Sequence, residues 1–328
     1  MWRALIIGDL HWRAENPIGR VDNYQEALTR KLRDCWDIAR AYQVDAILQT
    51  GDLFDSPDVA QTTMDDLWDI LEEAPAPIYT VPGNHDLYGS NPETLYRTPL
   101  GHLFRRRVVR NAVRGPYVDD SGSVAITGRG YDFSTDIDKS QYGLSVEIPE
   151  RYVTIHVTHG MLLDGPPPSP NMRWTSLEEA AALPNAPDVL INGHDHIGFG
   201  IRKVGKTLFI NPGALCRLKA DLREIDRPVQ VALLEIDDDG EIRAQLIRLK
   251  SARPGDEVLS RDHLIAEIER QERREQFVAH LSAEMQEALD VSAMVDEIAR
   301  AEGVDESVRQ GALRRIAQAL EELSGRTT

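Results

Sequence analysis

The chain holds only two cysteines, Cys35 and Cys216, among 328 residues. That is too few for a disulfide framework, so a reducing cytoplasm is the expected compartment. No apolar run comes near the roughly 20 residues that a membrane-spanning helix needs. The apolar stretch nearest the N-terminus, Ala4-Leu5-Ile6-Ile7, is short and runs straight into Gly8-Asp9, which reads as a strand and not as a signal peptide. Basic residues are also scarce: 37 Lys and Arg stand against 54 Asp and Glu, a formal net charge of −17. Proteins that coat nucleic acid draw their affinity from neutralised phosphates and are usually basic. General coating is therefore excluded, while local contact with a polyanion is not. The one basic cluster, Arg105-Arg106-Arg107 continued by Arg110 and Arg114, reads either as such a contact or as solvated surface.

What the chain does have is five short blocks in a fixed order: Gly8-Asp9-Leu10-His11, Gly51-Asp52, Gly83-Asn84-His85-Asp86, Thr158-His159-Gly160 and Gly193-His194-Asp195-His196. Nearly all follow a short apolar run, which is how a sheet presents ligands from the loops at its strand ends. Carboxylate, amide and imidazole donors without thiolate suit manganese, iron, zinc or nickel better than a structural zinc site of cysteines. The blocks together point to a metal-dependent hydrolase.

In this order the blocks resemble the signature of the calcineurin-like metallophosphoesterase superfamily: Asp-x-His, Gly-Asp, Gly-Asn-His-Asp/Glu, His and Gly-His-x-His. The resemblance extends from Met1 to about Leu249. It implies an α/β fold, a two-sheet metallophosphoesterase sandwich of mixed sheets flanked by helices, here with a C-terminal helical extension. It also implies two divalent ions. Asp9, His11, Asp52 and His196 would hold the first, and Asp52, Asn84, His159 and His194 the second, with Asp52 shared. His85 would stand beside the scissile phosphate, with Asp86 orienting it. An ion pair about 3.5–4 Å apart polarises phosphoryl oxygens and acidifies a shared water for in-line attack on phosphorus. A shared carboxylate brings negative charge between two cations, and neutral imidazoles complete the shell without repelling an anionic substrate. The resemblance would make His85 the donor of a proton to the leaving oxygen.

The pattern of the chain agrees. Ala4–Ile7, Ala46–Leu48 and Ile78–Val81 read as strands feeding Asp9, Asp52 and Asn84. Between them, helices are expected from about Asp22 to Tyr42 and over Val59–Glu73, a rhythm that implies parallel strands with crossover helices. Further strands are expected at Val124–Thr127, Tyr152–Val157, Val189–Ile191, Leu208–Ile210, Val229–Ile236 and Ile242–Leu249, with a hairpin turn at Asp237–Gly240. This gives a catalytic domain over residues 1–250. After Pro254-Gly255 a helical module over 255–328 is expected. Its apolar stripes are Leu264, Ile265 and Ile268, then Val278, Leu281, Met285 and Leu289, then Val308, Leu313, Ile316, Leu320 and Leu323, the last after a cap at Asp305. The module either packs on the catalytic domain or binds a partner.

Within the superfamily, protein serine/threonine phosphatases continue Gly-Asp into a block ending Asp-Arg-Gly and use Gly-Asn-His-Glu. Gly51-Asp52-Leu53-Phe54-Asp55 and Pro82-Gly83-Asn84-His85-Asp86 are instead similar to the SbcD-type DNA repair nucleases, whose partner is the SMC-like ATPase SbcC. The resemblance implies DNA as substrate, manganese as the leading metal and the helical module as the docking element; a homodimer is a further expectation. A small-molecule phosphodiesterase or phosphatase, for cyclic nucleotides among others, is the alternative. Asn211-Pro212-Gly213-Ala214 also occurs in small phosphodiesterases, and a non-enzymatic scaffold would be expected to have lost ligands. Other residues read first as structure: His156 as core, His102, His263 and His280 as surface or packing, Trp174 as an anchor, Ser176 and Glu179 as a helix cap. Trp12, Arg13 and Arg217 are open between packing and substrate contact.

Overall fold

The computed structural model describes residues 1–119, 122–260, 262, 265, 269 and 303–324. Short apolar runs become strands and amphipathic runs between them become helices. In the first sheet these are β1 (Trp2–Ile7), β2 (Ala46–Gln49), β3 (Ile78–Thr80) and β4 (Arg110–Asn111). The second sheet begins with β5 (Tyr117–Val118), β6 (Val124–Arg129) and β7 (Val153–Gly160). A small pair, β8 (Leu162–Leu163) and β9 (Thr175–Ser176), stands apart. Then follow β10 (Val189–His194), β11 (Gly200–Val204), β12 (Thr207–Asn211), β13 (Gln230–Ile236) and β14 (Ile242–Arg248). The two sheets run β14-β13-β1-β2-β3-β4 and β11-β12-β10-β7-β6-β5. Both are mixed: β1, β2, β3 and β4 are mutually parallel, as are β6, β7, β10 and β12, while β13, β14, β11 and β5 pair antiparallel.

Residues alternate across each strand. Ala4 and Ile6 of β1 face the space between the sheets, with Leu48, Ile155, Val157 and Ile191. Leu5 and Ile7 face the other way, against helix α1 (Tyr24–Tyr42) through Leu28, Leu32 and Trp36. The side chain of Asn23 accepts from the Glu26 N–H to start α1, and Gln43, at φ 52°, ends it. Helix α2 (Gln61–Glu72) follows β2, and α3 (Pro99–Arg106) leads into β4. On the outer face of the second sheet Leu190 and Phe209 pack with Tyr142, Leu162 and Leu177. The expected strands are all present. Five of the described strands are additions to them: β4, β5, β8 and β9, each of two residues, and β11, an edge strand whose Arg202 and Lys203 are exposed, so that no apolar run marks it. Asp237–Gly240 does make the turn between β13 and β14, with Gly240 at φ +84°.

The first compact unit runs from Met1 to Leu264 and the second from Ile265 to Thr328. Residues 255–260, which the sequence pattern assigns to the helical module, lie within the first of these units. Leu259 forms a β-bridge with Arg20, and the Ser260 N–H donates to the Gly19 carbonyl at 2.9 Å. In the second unit a helix spans Glu306–Ser324, and the Asp305 carboxylate accepts from the Ser307 N–H at 2.9 Å. The stripes at 278–289, with Leu264, Ile268, His263 and His280, lie outside the described residues. No described helix is long and apolar enough to cross a membrane.

Leu48 is fully buried where the sheets meet. Leu48→Ala should cost about 2–5 kcal/mol of stability. Chemical denaturation of the variant beside the wild type measures this; a loss below about 1 kcal/mol would mean that the sheets do not pack there.

Candidate metal centre

All five blocks emerge at the same end of the sandwich. Asp9 and His11 follow β1, Asp52 follows β2, Asn84 follows β3, His159 lies near the end of β7, His194 ends β10 and His196 lies two residues beyond it. Sharp turns bring them inward. His11, Asp52 and His194 have φ of 48°, 49° and 82°, a left-handed region that costs on the order of 1–3 kcal/mol for a non-glycine residue. Glycine is required where backbones close up: a Cβ on Gly8 would overlap the Gly213 carbonyl, and one on Gly83 would overlap the Asp52 carboxylate.

The seven expected ligands converge on Asp52, which is buried. His11 Nε2 lies 3.5 Å from Asp52 Oδ2 and His159 Nε2 lies 3.3 Å from the same oxygen. On the first side, His196 Nε2 is 3.0 Å from His11 Nε2 and 3.6 Å from Asp9 Oδ2. On the second, Asn84 Oδ1 is 3.1 Å from His159 Nε2, and the His159 and His194 rings are 5.0 Å apart. Asp52 Oδ2 and His11 Nδ1 are buried without a hydrogen-bond partner. Donor atoms that crowd together and leave an acceptor oxygen unsatisfied fit divalent cations. Neighbouring groups set their aim. His159 Nδ1 meets the Thr50 carbonyl at 2.8 Å, which frees Nε2 for an ion. Asp9 accepts from the Thr50 hydroxyl at 2.7 Å and from the His194 N–H at 3.0 Å, and Asp52 Oδ1 accepts from the His85 N–H at 2.8 Å.

Charge is unevenly shared. Burial opposes ionisation of His159, but Asp52 and Asp9 outweigh it and lift its pKa to about 10. Burial raises Asp9, while on Asp52 it is overcome by His159 and His11, which hold that carboxyl low. Burial, with the neighbouring His159, pushes His194 down to about 3; burial and His11 push His196 well below the usual imidazole value.

One expected role needs correction. Asp86 does not orient the His85 ring. Its buried carboxylate accepts backbone N–H groups of Gly83, Phe54 and Leu53 at 2.9, 3.1 and 3.3 Å. It thus ties the Asn84 loop to the Asp52 loop. Burial, then the Asp52 charge, raises its pKa to about 7. His85, which is exposed, places Nδ1 2.8 Å from the Asp55 carbonyl instead.

Three further neighbours lie outside the expected set. Thr50 supports both His159 and Asp9, as above. Asp55 puts Oδ1 3.3 Å from His11 Nδ1 and pairs with Arg13 at 2.8 Å; its place in the Gly51–Asp55 block is the signal that could have found it. Cys216 has its sulfur within 4.8 Å of donor nitrogens of His11 and His196. Nothing in the sequence reveals this, because the Gly8–Gly213 approach that brings it there is tertiary. Burial raises the Cys216 thiol to about 12.

The other open residues resolve to structure. Trp12 is buried and its indole N–H donates to the Thr63 carbonyl at 2.9 Å. Arg217 donates to the carbonyls of Glu224, Arg227 and Arg253, so it does not reach toward a phosphate. The buried His156 ring meets Thr127 Oγ1 and the Gln141 carbonyl, and burial lowers its pKa to about 4. Ser176 and Glu179 form a reciprocal capping box, and His102 packs against Trp68 with ring centroids 5.8 Å apart. Trp174 is half-buried.

A pKa near 10 means that His159 is protonated at pH 7 in protein stripped of metal. Ligation needs its neutral imidazole, so metal uptake should release at least one proton and the apparent affinity should climb as pH rises from about 6 to 8. Calorimetric titration in buffers of different ionisation enthalpy counts the protons; a count of zero at pH 7 would contradict the placement of His159.

Solved structures similar to this chain include a protein of Thermus thermophilus, at 15% identity and a TM-score of 0.44 over 75% of this chain and 99% of that one. A dimetal phosphatase from Danio rerio matches at 15% identity and TM-score 0.45, over 76% and 99%. A calcineurin-like phosphoesterase from Bacillus subtilis matches at 13% identity and TM-score 0.41, over 83% and 97%. No curated protein sequence matches the chain. The profile of the family described as calcineurin-like phosphoesterase matches residues 3–198, more than half of the 328 residues, and the chain belongs to that family of metal-dependent phosphoesterases with a dinuclear metal centre.

Proposed function

We propose that the chain is a phosphodiesterase acting on DNA, an SbcD-type nuclease that uses manganese at both positions. The observation that carries this reading is the open rim of the centre. His85 is exposed, and Asn84, His194 and His196 are half-buried, so a phosphodiester within a long polymer can reach ligands that the loops hold from below. The Gly51–Asp55 block supports the nuclease branch through Asp55, whose carboxylate approaches His11 while its carbonyl holds His85. Oxygen and imidazole donors favour manganese, with iron, zinc and nickel sharing the same set. Bound there, two divalent ions polarise the phosphoryl group and make water a nucleophile at neutral pH.

The side chains supply the rest. Asp52 presents Oδ2 to His11 on one side of the centre and to His159 on the other, while its Oδ1 keeps the His85 backbone close. The Nδ1–H of His85 is committed to the Asp55 carbonyl, so the proton given to the leaving oxygen is the one at Nε2. Asp86 and Thr50 position loops and rings without touching the reacting atoms. The overall acidity of −17 favours the second reading, a phosphodiesterase for small molecules.

Purified protein assayed with manganese on labelled DNA, bis(p-nitrophenyl) phosphate and cyclic nucleotides separates the two. Cleavage of DNA and of the aryl diester is expected, with cyclic nucleotides left intact; the reverse preference would establish the small-molecule reading. His85→Ala should retain both ions, counted by mass spectrometry, yet lower hydrolysis roughly 10²–10⁴-fold. The loss should be smaller for a p-nitrophenyl than for an alkyl leaving group, and equal losses would remove the general-acid role.

The second unit is the proposed docking element for an SMC-type ATPase of the SbcC kind. Residues 265–328 carry 8 basic and 14 acidic side chains, a net −6. Deleting residues 265–328 should leave hydrolysis of a small diester unchanged and abolish co-purification with such an ATPase. Loss of bound metal in the truncated protein would instead make these residues part of the catalytic unit.

A further inference from the structure

Between Thr94 and Val118 the chain carries six arginines and not one aspartate or glutamate, in a protein whose acidic residues otherwise outnumber its basic ones. The fold gathers four of these arginines at one lateral margin of the sandwich. There β4 and β5, an edge strand of each sheet, come together through the Tyr79 and Tyr117 rings, 5.1 Å apart. Between these strands, α3 and the preceding turn lies a groove of about 730 Å³. Arg105, Arg107, Arg110 and Arg114 line it together with Tyr96 and Tyr117, and Glu93 is its single carboxylate.

The groove arginines differ from several arginines elsewhere on the surface. Arg3, Arg33, Arg40, Arg129, Arg202 and Arg223 each pair with a carboxylate. Arg105, Arg107 and Arg114 are exposed and, among the described residues, form no ion pair. Arg110 is fixed: Nη1 donates to the Tyr79 hydroxyl at 2.6 Å, and the guanidinium lies 5.2 Å from the centre of that ring. Tyr96 is 67% exposed, which leaves a π-face unused beside the cations.

We infer that this groove is a binding site for single-stranded DNA, separate from the metal centre and feeding it. The inference rests on the nucleic-acid reading proposed above. Spaced guanidiniums are forks for successive phosphates, and an exposed ring takes the face of a base only when that base is unpaired. None of the seven candidate ligands lines the groove. Strand β3 joins the two places: Tyr79 contacts Arg110, and Asn84 follows five residues later, at most roughly 17 Å away along extended chain. One polynucleotide can therefore lie in the groove while a neighbouring phosphodiester reaches the centre.

Fluorescence anisotropy of the full-length protein with a labelled phosphorothioate oligothymidylate, which resists hydrolysis, tests the groove over a salt series. The double variant Arg107→Ala/Arg114→Ala should weaken binding on the order of 10-fold and reduce the slope of log K against log salt by about 1.4, two lost phosphate contacts on a single strand. Tyr96→Ala should weaken binding and leave the slope unchanged. Arg30→Ala/Arg33→Ala, on α1, should do neither, and all variants should hydrolyse bis(p-nitrophenyl) phosphate like the wild type. Unchanged affinity and slope in the double arginine variant would overturn the site. So would an inert Tyr96→Ala combined with equal retention of heparin, which would mark a general anion surface. If the wild type cleaves DNA while the groove variants bind and cleave it equally well, only the groove assignment falls. If the wild type neither binds nor cleaves DNA but hydrolyses the small diester, the nuclease reading falls with it.

Discussion

The rest of the structure depends on one contact between the two sheets: Asp52, at the end of β2, faces His159, in β7, at 3.3 Å. For that approach to exist, the C-terminal ends of β1, β2 and β3 must lie over those of β7 and β10. Parallel pairing within each group supplies this, since parallel neighbours end at the same side. The space between the sheets must also be thin and well filled. Small residues such as Ala4, Ala46 and Ala232 alternate there with Leu48, Ile155 and Ile191, as close packing requires. Much of the connecting chain then serves to hold loops at that end.

The ligand loops are shaped by backbone constraints as much as by ligand chemistry. Three of the seven candidate ligands adopt left-handed φ, and Asp86 uses its carboxylate to fasten one ligand loop to the next. Conformations that are costly in isolation persist because buried hydrogen bonds over-determine them. Thr50 shows the economy of the arrangement: its carbonyl orients His159 of the second sheet, and its hydroxyl orients Asp9 of the first, which in turn receives the N–H of His194, again of the second.

Most of this was legible in the sequence, for physical reasons. Apolar runs such as Ala46–Leu48 and Val189–Ile191 are too short for helices and end in glycine beside a ligand, so they mark both a strand and its functional end. The ligand types, in order, carried the family. Contacts that depend on tertiary approach were less visible. Asp86 looks like a partner for His85 because the two are adjacent, yet adjacent residues in a tight turn point apart, and the carboxylate turns inward to backbone donors. Cys216 is distant in sequence from every block and reaches His11 and His196 only through the Gly8–Gly213 crossing. The exposed edge strand β11 has no periodic signal. The reach of the first unit past residue 250 depends on a bridge from Leu259 to Arg20, which local pattern does not encode.

The division of the candidate ligands between two sheets has a mechanical side. Asp9, His11, Asp52 and Asn84 belong to one sheet and His159, His194 and His196 to the other, so an ion held by both acts as a rivet through the sandwich. Prising the sheets apart then requires giving up the ion, and binding free energy adds directly to cohesion. A ligand at a hundred times its dissociation constant contributes about 2.7 kcal/mol, a large fraction of a typical domain's margin of some 5–15 kcal/mol. An ion so held would lengthen the life of the fold as well as serve its chemistry.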